Sequence, residues 1–375
     1  MIPVYAIASN ITSSLGITTA TNWQAVAAGK IGVKRYEDAS LSNTPFFASR
    51  IEPAVWQSIH QQTRSKNVLS PFEQLAIFSA KQALNECREE LDLSQTIFIL
   101  STTKGNIEWL EQVPEERLRL STSANIIARE LGIAKAEVIS HACVSGVVAL
   151  MHAQRLLQAG KYKNAIVTGC DRFSRFVLNG FQSFQAIADE PCRPFDASRK
   201  GINLGEAAAT IILSTKTDMP LAQIHSGSTS NDANHISGPS RTGEELALAI
   251  ERALNEANIN ASQINMISAH GTATMYNDEM ESKAFAASGL LQSPVHSFKG
   301  YIGHTLGAAG VVETAMIIEA IQRQQLIPSP GYSENGVSEQ LNVTTQMQPA
   351  ELNYVLKTAS GFGGCNATLL IGKAN

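Results

Sequence analysis

A cysteine and two histidines stand out because each lies among small residues. Cys143 sits in Ala-Cys-Val-Ser-Gly (142–146), His270 opens His-Gly-Thr-Ala-Thr (270–274), and His304 lies in Gly-His-Thr-Leu-Gly-Ala-Ala-Gly (303–310). A cysteine thiolate is a strong nucleophile that forms covalent acyl intermediates. Imidazoles beside it can move protons or donate hydrogen bonds to an oxygen that gains charge. Together these groups suit chemistry on thioesters. The same trio is a donor set for zinc, so a zinc hydrolase is a second reading of the residue types alone. Taken singly, Cys143 reads first as a buried structural cysteine, the commoner fate in an apolar stretch. The two histidine motifs turn the reading toward a nucleophile.

These residues need elements to hold them, and the pattern supplies candidates. Short β-branched or aliphatic runs alternate with longer helical patterns, which predicts α/β architecture with mostly parallel sheets. Strands are expected at 96–101, 137–141, 165–169, 207–213, 264–269, 354–360 and 367–371, with a first buried strand at the N-terminus. Helices are expected at 71–91, 123–131, 146–159, 244–257, 278–285 and 309–322. Ser70, Pro71 and Glu73 form a helix-start pattern, and Glu244 and Glu245 lie at the positive end of another helix. Cys143 would then lie between a strand and a helix N-terminus, where the macrodipole favours thiolate. His270 would sit at a strand's C-terminal edge, where open α/β sheets tend to bind ligands. Gly303, Gly307 and Gly310 permit a tight turn and close backbone approach. A strand, the Cys143 turn and a small-residue helix recur loosely as 295–298, the His304 turn and a second small-residue helix. The boundary between halves is expected at 213–221, around Asp218 and Pro220.

Composition narrows the classes. The 375 residues can bury a large core and accommodate two fused halves. A hydrophobic content of 44% with 17% charged residues is ordinary for a globular enzyme, and a net charge of −4 gives no nucleic-acid footprint. No apolar run is long enough to span a bilayer. The N-terminal run lacks the basic start of a signal peptide. The five cysteines are odd in number and widely spaced, without a CxxC pair, which fits a reducing cytoplasm.

From about residue 70 to the C-terminus, the motifs resemble the elongating β-ketoacyl-acyl-carrier-protein synthases. The likeness rests on the Cys143, His270 and His304 motifs and on Lys299-Gly-Tyr-Ile-Gly-His304 leading to Glu313. It also rests on Gly361-Phe-Gly-Gly-Cys-Asn, Arg193-Pro-Phe-Asp and Leu204-Gly-Glu206-Ala-Ala. The resemblance implies a five-layered αβαβα thiolase-like fold built from two pseudo-repeated halves, 1–215 with the nucleophile and 216–375 with the histidines. It implies a decarboxylative condensation of malonyl carrier protein with an acyl group on Cys143, in fatty acid or polyketide and polyene synthesis. His270 and His304 would serve the decarboxylation, while Lys299 and Glu313 support the site electrostatically. Phe362 would gate the site, and its N–H would pair with that of Cys143 as an oxyanion hole. Thr272 and Thr274 would bind phosphopantetheine, Asp278 and Glu206 would support the interior, and Asp196 and Arg199 would brace a loop. The resemblance implies no metal and no intrinsic cofactor. The implied partners are an acyl carrier protein and a second subunit, in a homodimer or a heterodimer. Lys34, Arg35, Arg64, Lys66, Lys161 and Lys163 are candidates for a basic carrier-docking patch.

The chain also departs from the family pattern. Ala273, Met275 and Cys365 replace its usual residues, and residues 100–125 are shorter and more charged than is usual near the acyl pocket and dimer interface. Cys365 raises a thiolase as an alternative, with a second cysteine acting as acid and base. His270 within His-Gly-Thr and the following Asn366 favour the synthase, with Cys365 as a structural replacement for threonine. A chain-length-factor-like subunit is a third reading, against which Cys143 and both histidines count.

Overall fold

The computed structural model describes residues 2–232 and 238–374, so Met1 and Asn375, the outermost positions of the two expected halves, lie outside the described residues. Ten strands form one continuous sheet: β1 (Val4–Thr12), β2 (Thr96–Ser101), β3 (Lys135–Ile139), β4 (Asn164–Asp171), β5 (Ala207–Ser214), β6 (Ala222–Asn231), β7 (Met266–Ser268), β8 (Val295–His296), β9 (Tyr354–Gly361) and β10 (Cys365–Gly372). One end runs β1-β5-β4-β2-β3 and the other β6-β10-β9-β7-β8. Both share one pattern of directions, antiparallel for the first two pairings and parallel for the last two. The arms join where Val4–Ala6 of β1 pairs antiparallel with Ala222–Ile224 of β6.

The sheet is therefore mixed, where the sequence pattern led to an expectation of mostly parallel strands. Strands buried on both faces read as unbroken apolar runs whatever their direction. β5 is buried along its whole length, so nothing in it announces an antiparallel partner. β2 shows how both faces are used. Ile97 and Ile99 enter the central core, while Phe98 and Leu100 enter an outer one, the period-two alternation of a strand.

Two helices fill the central layer, α3 (Ser145–Gln158) and α7 (Ala309–Arg323). On the outside, α1 (Pro71–Glu86) and α2 (Leu120–Glu130) cover the first arm, and α5 (Glu244–Ala257) and α6 (Met275–Ala287) cover the second. The order of layers is αβαβα. A further helix, α4 (Arg175–Ser183), lies near the cavity described below. None of the described helices is long and apolar enough to cross a membrane.

Local chemistry explains the helix ends. Ser70 and Glu73 form a reciprocal capping box, with Glu73 N–H donating to Ser70 Oγ at 3.0 Å and Ser70 N–H to Glu73 Oε2 at 2.9 Å. α1 stops at Glu86 rather than running to residue 91. Glu86, Glu89 and Glu90 would crowd its negative end, which disfavours continuation. α6 begins at Met275, ahead of the expected 278.

The central helices approach at glycines. A Cβ on Gly146 would stand 2.7 Å from Val311 N, and one on Gly310 would stand 2.5 Å from Val147 N. No rotamer can relieve a clash of Cβ with backbone. Gly310→Ala should lower unfolding stability by about 1–3 kcal/mol or more, the usual scale of overpacking. Gly180, on an exposed turn of α4, has nothing within 4 Å of its Cβ position. There, Gly→Ala should stabilise by roughly 0.5–1 kcal/mol. Urea titration of both variants checks the contrast, and equal effects would contradict the close approach.

Candidate active site

Cys143 lies in the turn from β3 to α3, immediately before the first residues of that helix. The turn needs a positive φ at Ala142, 44°, a conformation that costs a residue with Cβ some strain. Ser145 secures it: its hydroxyl donates to Ala142 O at 2.6 Å and accepts from His141 N–H at 2.7 Å. Sequence reading noted Ser145 only as a small neighbour. Gly361 packs behind the turn, where a Cβ would stand 3.0 Å from Cys143 N and 2.9 Å from Cys365 Sγ. The expectation of a thiolate held by the helix end meets an opposing effect. Burial pushes the Cys143 thiol up to about 12, with Lys299 pulling the other way. The resting group is therefore a thiol, because desolvation penalises the charged form.

His270 follows β7 and is held through its backbone. Its N–H donates to Glu281 Oε1 at 2.8 Å, and the N–H of Gly271 to Glu281 Oε2 at 2.6 Å. Asp278 takes the Thr272 N–H at 3.0 Å on one oxygen and the Phe195 N–H at 2.7 Å on the other. Both carboxylates are buried on α6, so this helix holds the histidine loop in place. Burial pushes the Asp278 carboxyl up to about 7, against the amide donors and the nearby Arg199. Glu281 escaped sequence reading, although its place three residues after Asp278 on one helix face was a usable signal.

His304 follows a one-turn helix, Lys299–Ile302, and Gly303, whose φ of 65° and ψ of −171° belong to glycine territory. The His304 N–H donates to Asn203 O at 2.7 Å, and its carbonyl accepts from Gly205 N–H at 3.0 Å. Asp171, at the end of β4, steadies the next residues by accepting from Gly307 N–H at 2.7 Å. It also accepts from the Thr102 hydroxyl at 2.7 Å and the Thr103 hydroxyl at 2.8 Å. Asp171 too was missed, hidden in a strand that otherwise reads as core.

The three motifs converge. Ligating atoms of Cys143, His270 and His304 lie within 4.8 Å of one another. The two rings stand perpendicular, with centroids 5.3 Å apart. Burial holds both imidazoles well below their usual range, and the Lys299 and Lys357 ammoniums add to the effect. Both are neutral near pH 7. His270 Nδ1 and both ring nitrogens of His304 are buried without a protein partner among the described residues. A zinc ion would find a matching donor set here, but it would sit beside a buried ammonium that repels it.

Beneath the trio, Lys299 Nζ meets Glu313 Oε1 at 2.7 Å, and Lys357 Nζ meets Glu313 Oε2 at 2.8 Å. Lys357 was absent from the sequence reading, though a lysine inside an apolar strand was its signal.

The trio lines a cavity of about 600 Å³, together with Thr272, Thr274 and Phe362. The two threonine hydroxyls lie 2.8 Å apart. Phe362 is half-exposed, stacked on Phe181 at 5.6 Å and met edge-on by Phe184 at 5.3 Å. Cys365 is buried, does not line the cavity, and donates its thiol hydrogen to Phe362 O at 3.5 Å. Glu206 lies outside the cavity lining, bonded to Ile51 N–H at 2.8 Å and Phe173 N–H at 3.3 Å. Asp196 caps the Ser198, Ser333 and Glu334 amides, and Arg199 bonds the Asp196 and Gly336 carbonyls, so both brace loops. Of the basic candidates, Lys34, Arg35 and Lys163 are in surface ion pairs, and none of the six lines the cavity. Lys200 and Arg241 do.

Comparison with known proteins identifies the family. The β-ketoacyl synthase N-terminal domain model matches residues 2–219 and the C-terminal domain model residues 221–333. The chain is 28% identical over 399 residues to 3-oxoacyl-[acyl-carrier-protein] synthase 2 of Vibrio cholerae, covering 96% of each. A ketosynthase (ApeO) in complex with its chain length factor (ApeC) from Xenorhabdus doucetiae superposes with TM-score 0.85 at 26% identity, covering 99% of this chain and 98% of that one. The ishigamide ketosynthase/chain length factor shares the fold at TM-score 0.89 and 24% identity, over 100% and 99% of the two chains. With both domain models matched in order along a thiolase-like fold, the chain is a member of the β-ketoacyl synthase family.

Proposed function

We propose that the chain condenses acyl and malonyl thioesters carried on acyl carrier protein, as an acyltransferase of fatty acid or polyketide synthesis. The observation that carries this reading is the Cys143 thiol with two neutral imidazoles at its side, all lining one cavity. In the first half-reaction the Cys143 sulfur attacks the acyl carbonyl. The bond to the carrier's sulfur breaks, and the carrier leaves as a thiol with the proton that Cys143 gives up. The N–H groups of Cys143 and Phe362 serve the tetrahedral oxygen, the arrangement that Gly361 leaves room for. In the second half-reaction the malonyl carboxylate departs as CO2 and its electron pair moves into an enolate. His270 and His304 donate hydrogen bonds to the enolate oxygen, a role that neutral imidazoles fill. The enolate carbon then bonds to the acyl carbonyl carbon, the Cys143 C–S bond breaks, and the sulfur takes up a proton.

Thr272 and Thr274 offer hydroxyls to the amides of a phosphopantetheine arm along the cavity, and Phe362 closes the way to Cys143. Lys299 and Glu313 tune the charge beneath the histidines, with Asp278 and Glu206 as supports. The reading divides the chain at 215/216, places it in the cytoplasm, needs no resident cofactor, and pairs it with a second synthase-like subunit, identical or related. Cys365 sits outside the cavity lining, which favours a synthase over a thiolase.

Incubation with acyl carrier proteins of several chain lengths, read by intact mass, should add one acyl group to the wild type and none to Cys143→Ala. Acylation of that variant would place the nucleophile elsewhere. His270→Ala and His304→Ala should still accept the acyl group yet lose condensation by roughly 10²-fold or more. Because burial keeps both imidazoles neutral, condensation should hold steady from pH 8 down past pH 6.5 and fall only at lower pH. A loss centred at about pH 6.5, the value of an unperturbed imidazole, would contradict that neutrality.

A further inference from the structure

Two buried lysines share one glutamate beneath the histidines. Among the described residues, Glu313 is the one carboxylate that pairs with both Lys299 and Lys357, and the three side chains are 4%, 1% and 0% exposed. Burying two ammoniums against one shared carboxylate costs stability, even with the Glu281 carboxylate of α6 also acting on Lys357. Val355, Leu356 and Ala359 around Lys357 are buried and apolar, so an apolar side chain would suit β9 better as core. Something other than packing accounts for a lysine here.

Lys357 Nζ reaches further than its ion pair. It donates to Ser268 O at 3.1 Å, to Ala269 O at 3.3 Å and to the Thr358 carbonyl. Ser268 and Ala269 are the two residues that lead into His270. Thr358, its neighbour in β9, accepts the His270 N–H at 3.2 Å and donates its hydroxyl to Glu281 Oε1 at 2.8 Å. One ammonium thus ties α7, β9 and the end of β7 together.

The other charged or titratable groups around this cluster come from every element packed on it. They are Lys299 before the His304 turn, His304 itself, His270 after β7, His296 on β8, Glu313 on α7 and Glu281 on α6. Burial and the nearby lysines hold His296 neutral, down to about 3, so it contributes no charge. Glu281 accepts from the His270 and Gly271 amides and also favours the ammonium form of Lys357 through space.

We infer that Lys357 is a positioning residue for decarboxylation: it completes a buried Lys–Glu–Lys bridge that fixes the backbone ahead of His270 and places a second ammonium below the two imidazoles. This rests on the condensing reaction proposed above. The charge works twice. It disfavours imidazolium, keeping both rings available as neutral donors, and it favours the negative charge that gathers on the enolate oxygen. Cys143 acylation builds its oxyanion at the backbone N–H groups instead, so that half-reaction should be nearly indifferent to Lys357.

The test separates the half-reactions in full-length protein. Lys357→Met keeps the volume and removes the charge. Single-turnover acylation of Cys143, read by intact mass, should stay within about twofold of wild type, while CO2 release from malonyl carrier protein on the acylated enzyme should fall about tenfold or more. Losing a nearby cation raises the imidazole pKa values, so the acid limb of CO2 release should move to higher pH by about one unit. Intact acylation with unchanged CO2 release and an unmoved acid limb would overturn the inference and leave the reaction assignment standing. Failure of the wild type itself to be acylated would overturn both. If Lys357→Met does not fold, Lys357→Arg carries the test, since it keeps the charge and changes the donor geometry. Slower CO2 release with an unmoved acid limb then supports positioning. Wild-type CO2 release, or failure of this variant to fold as well, overturns it by making Lys357 a matter of fold alone.

Discussion

The backbone contact between α3 and α7 is the constraint on which the site depends. Gly146 and Gly310 let the two helices touch main chain to main chain, and each helix follows a turn that bears chemistry. Cys143 is delivered at the start of α3, and His304 in the turn that leads into α7. A single added methyl group at either glycine would push the thiol and the imidazole apart. Proximity on the scale of a few ångströms decides whether such groups act as one unit. Packing of the central layer and assembly of the trio are therefore one event.

Burial then sets the chemical state of what is assembled. Desolvation favours the neutral form of thiol and imidazole alike. The thiol loses reactivity by this in the resting protein, whereas the imidazoles become donors at neutral pH. Burial pushes the Asp278 and Asp171 carboxyls up in the same way, and the N–H and O–H donors around them pull in the opposite direction. Glu281 and Asp278 hold the His270 loop from α6, and Asp171 holds the His304 turn from β4. Buried polar groups of this kind are costly unless satisfied. Here they join loops from both arms of the sheet, which fixes the loops without an extended hydrophobic contact at the reacting centre.

The motif residues were legible because their chemistry is local. The setting of Cys143 between a strand and a helix, the glycines flanking His304 and the hydroxyls after His270 all follow from residue type and short spacing. Most strands and helices were legible too, since buried strands and amphipathic helices differ in length and period. Strand direction was not, because a strand covered on both faces carries the same apolar run either way. The roles of Asp171 and Lys357 were not either, because their partners lie far away in sequence. Lys357 and Ser268 are 89 positions apart, and Asp171 and Gly307 are 136 apart.

Sequence by itself determined which groups are on hand for the proposed chemistry and the local turns that present them. Backbone geometry at a glycine or a helix cap answers to neighbours only a few residues away. Tertiary structure alone decided that the groups meet, which carboxylate serves which loop, and that two ammoniums sharing one glutamate lie beneath the histidines. Charge state and proximity are sums over everything nearby in space, and no stretch of sequence contains that sum.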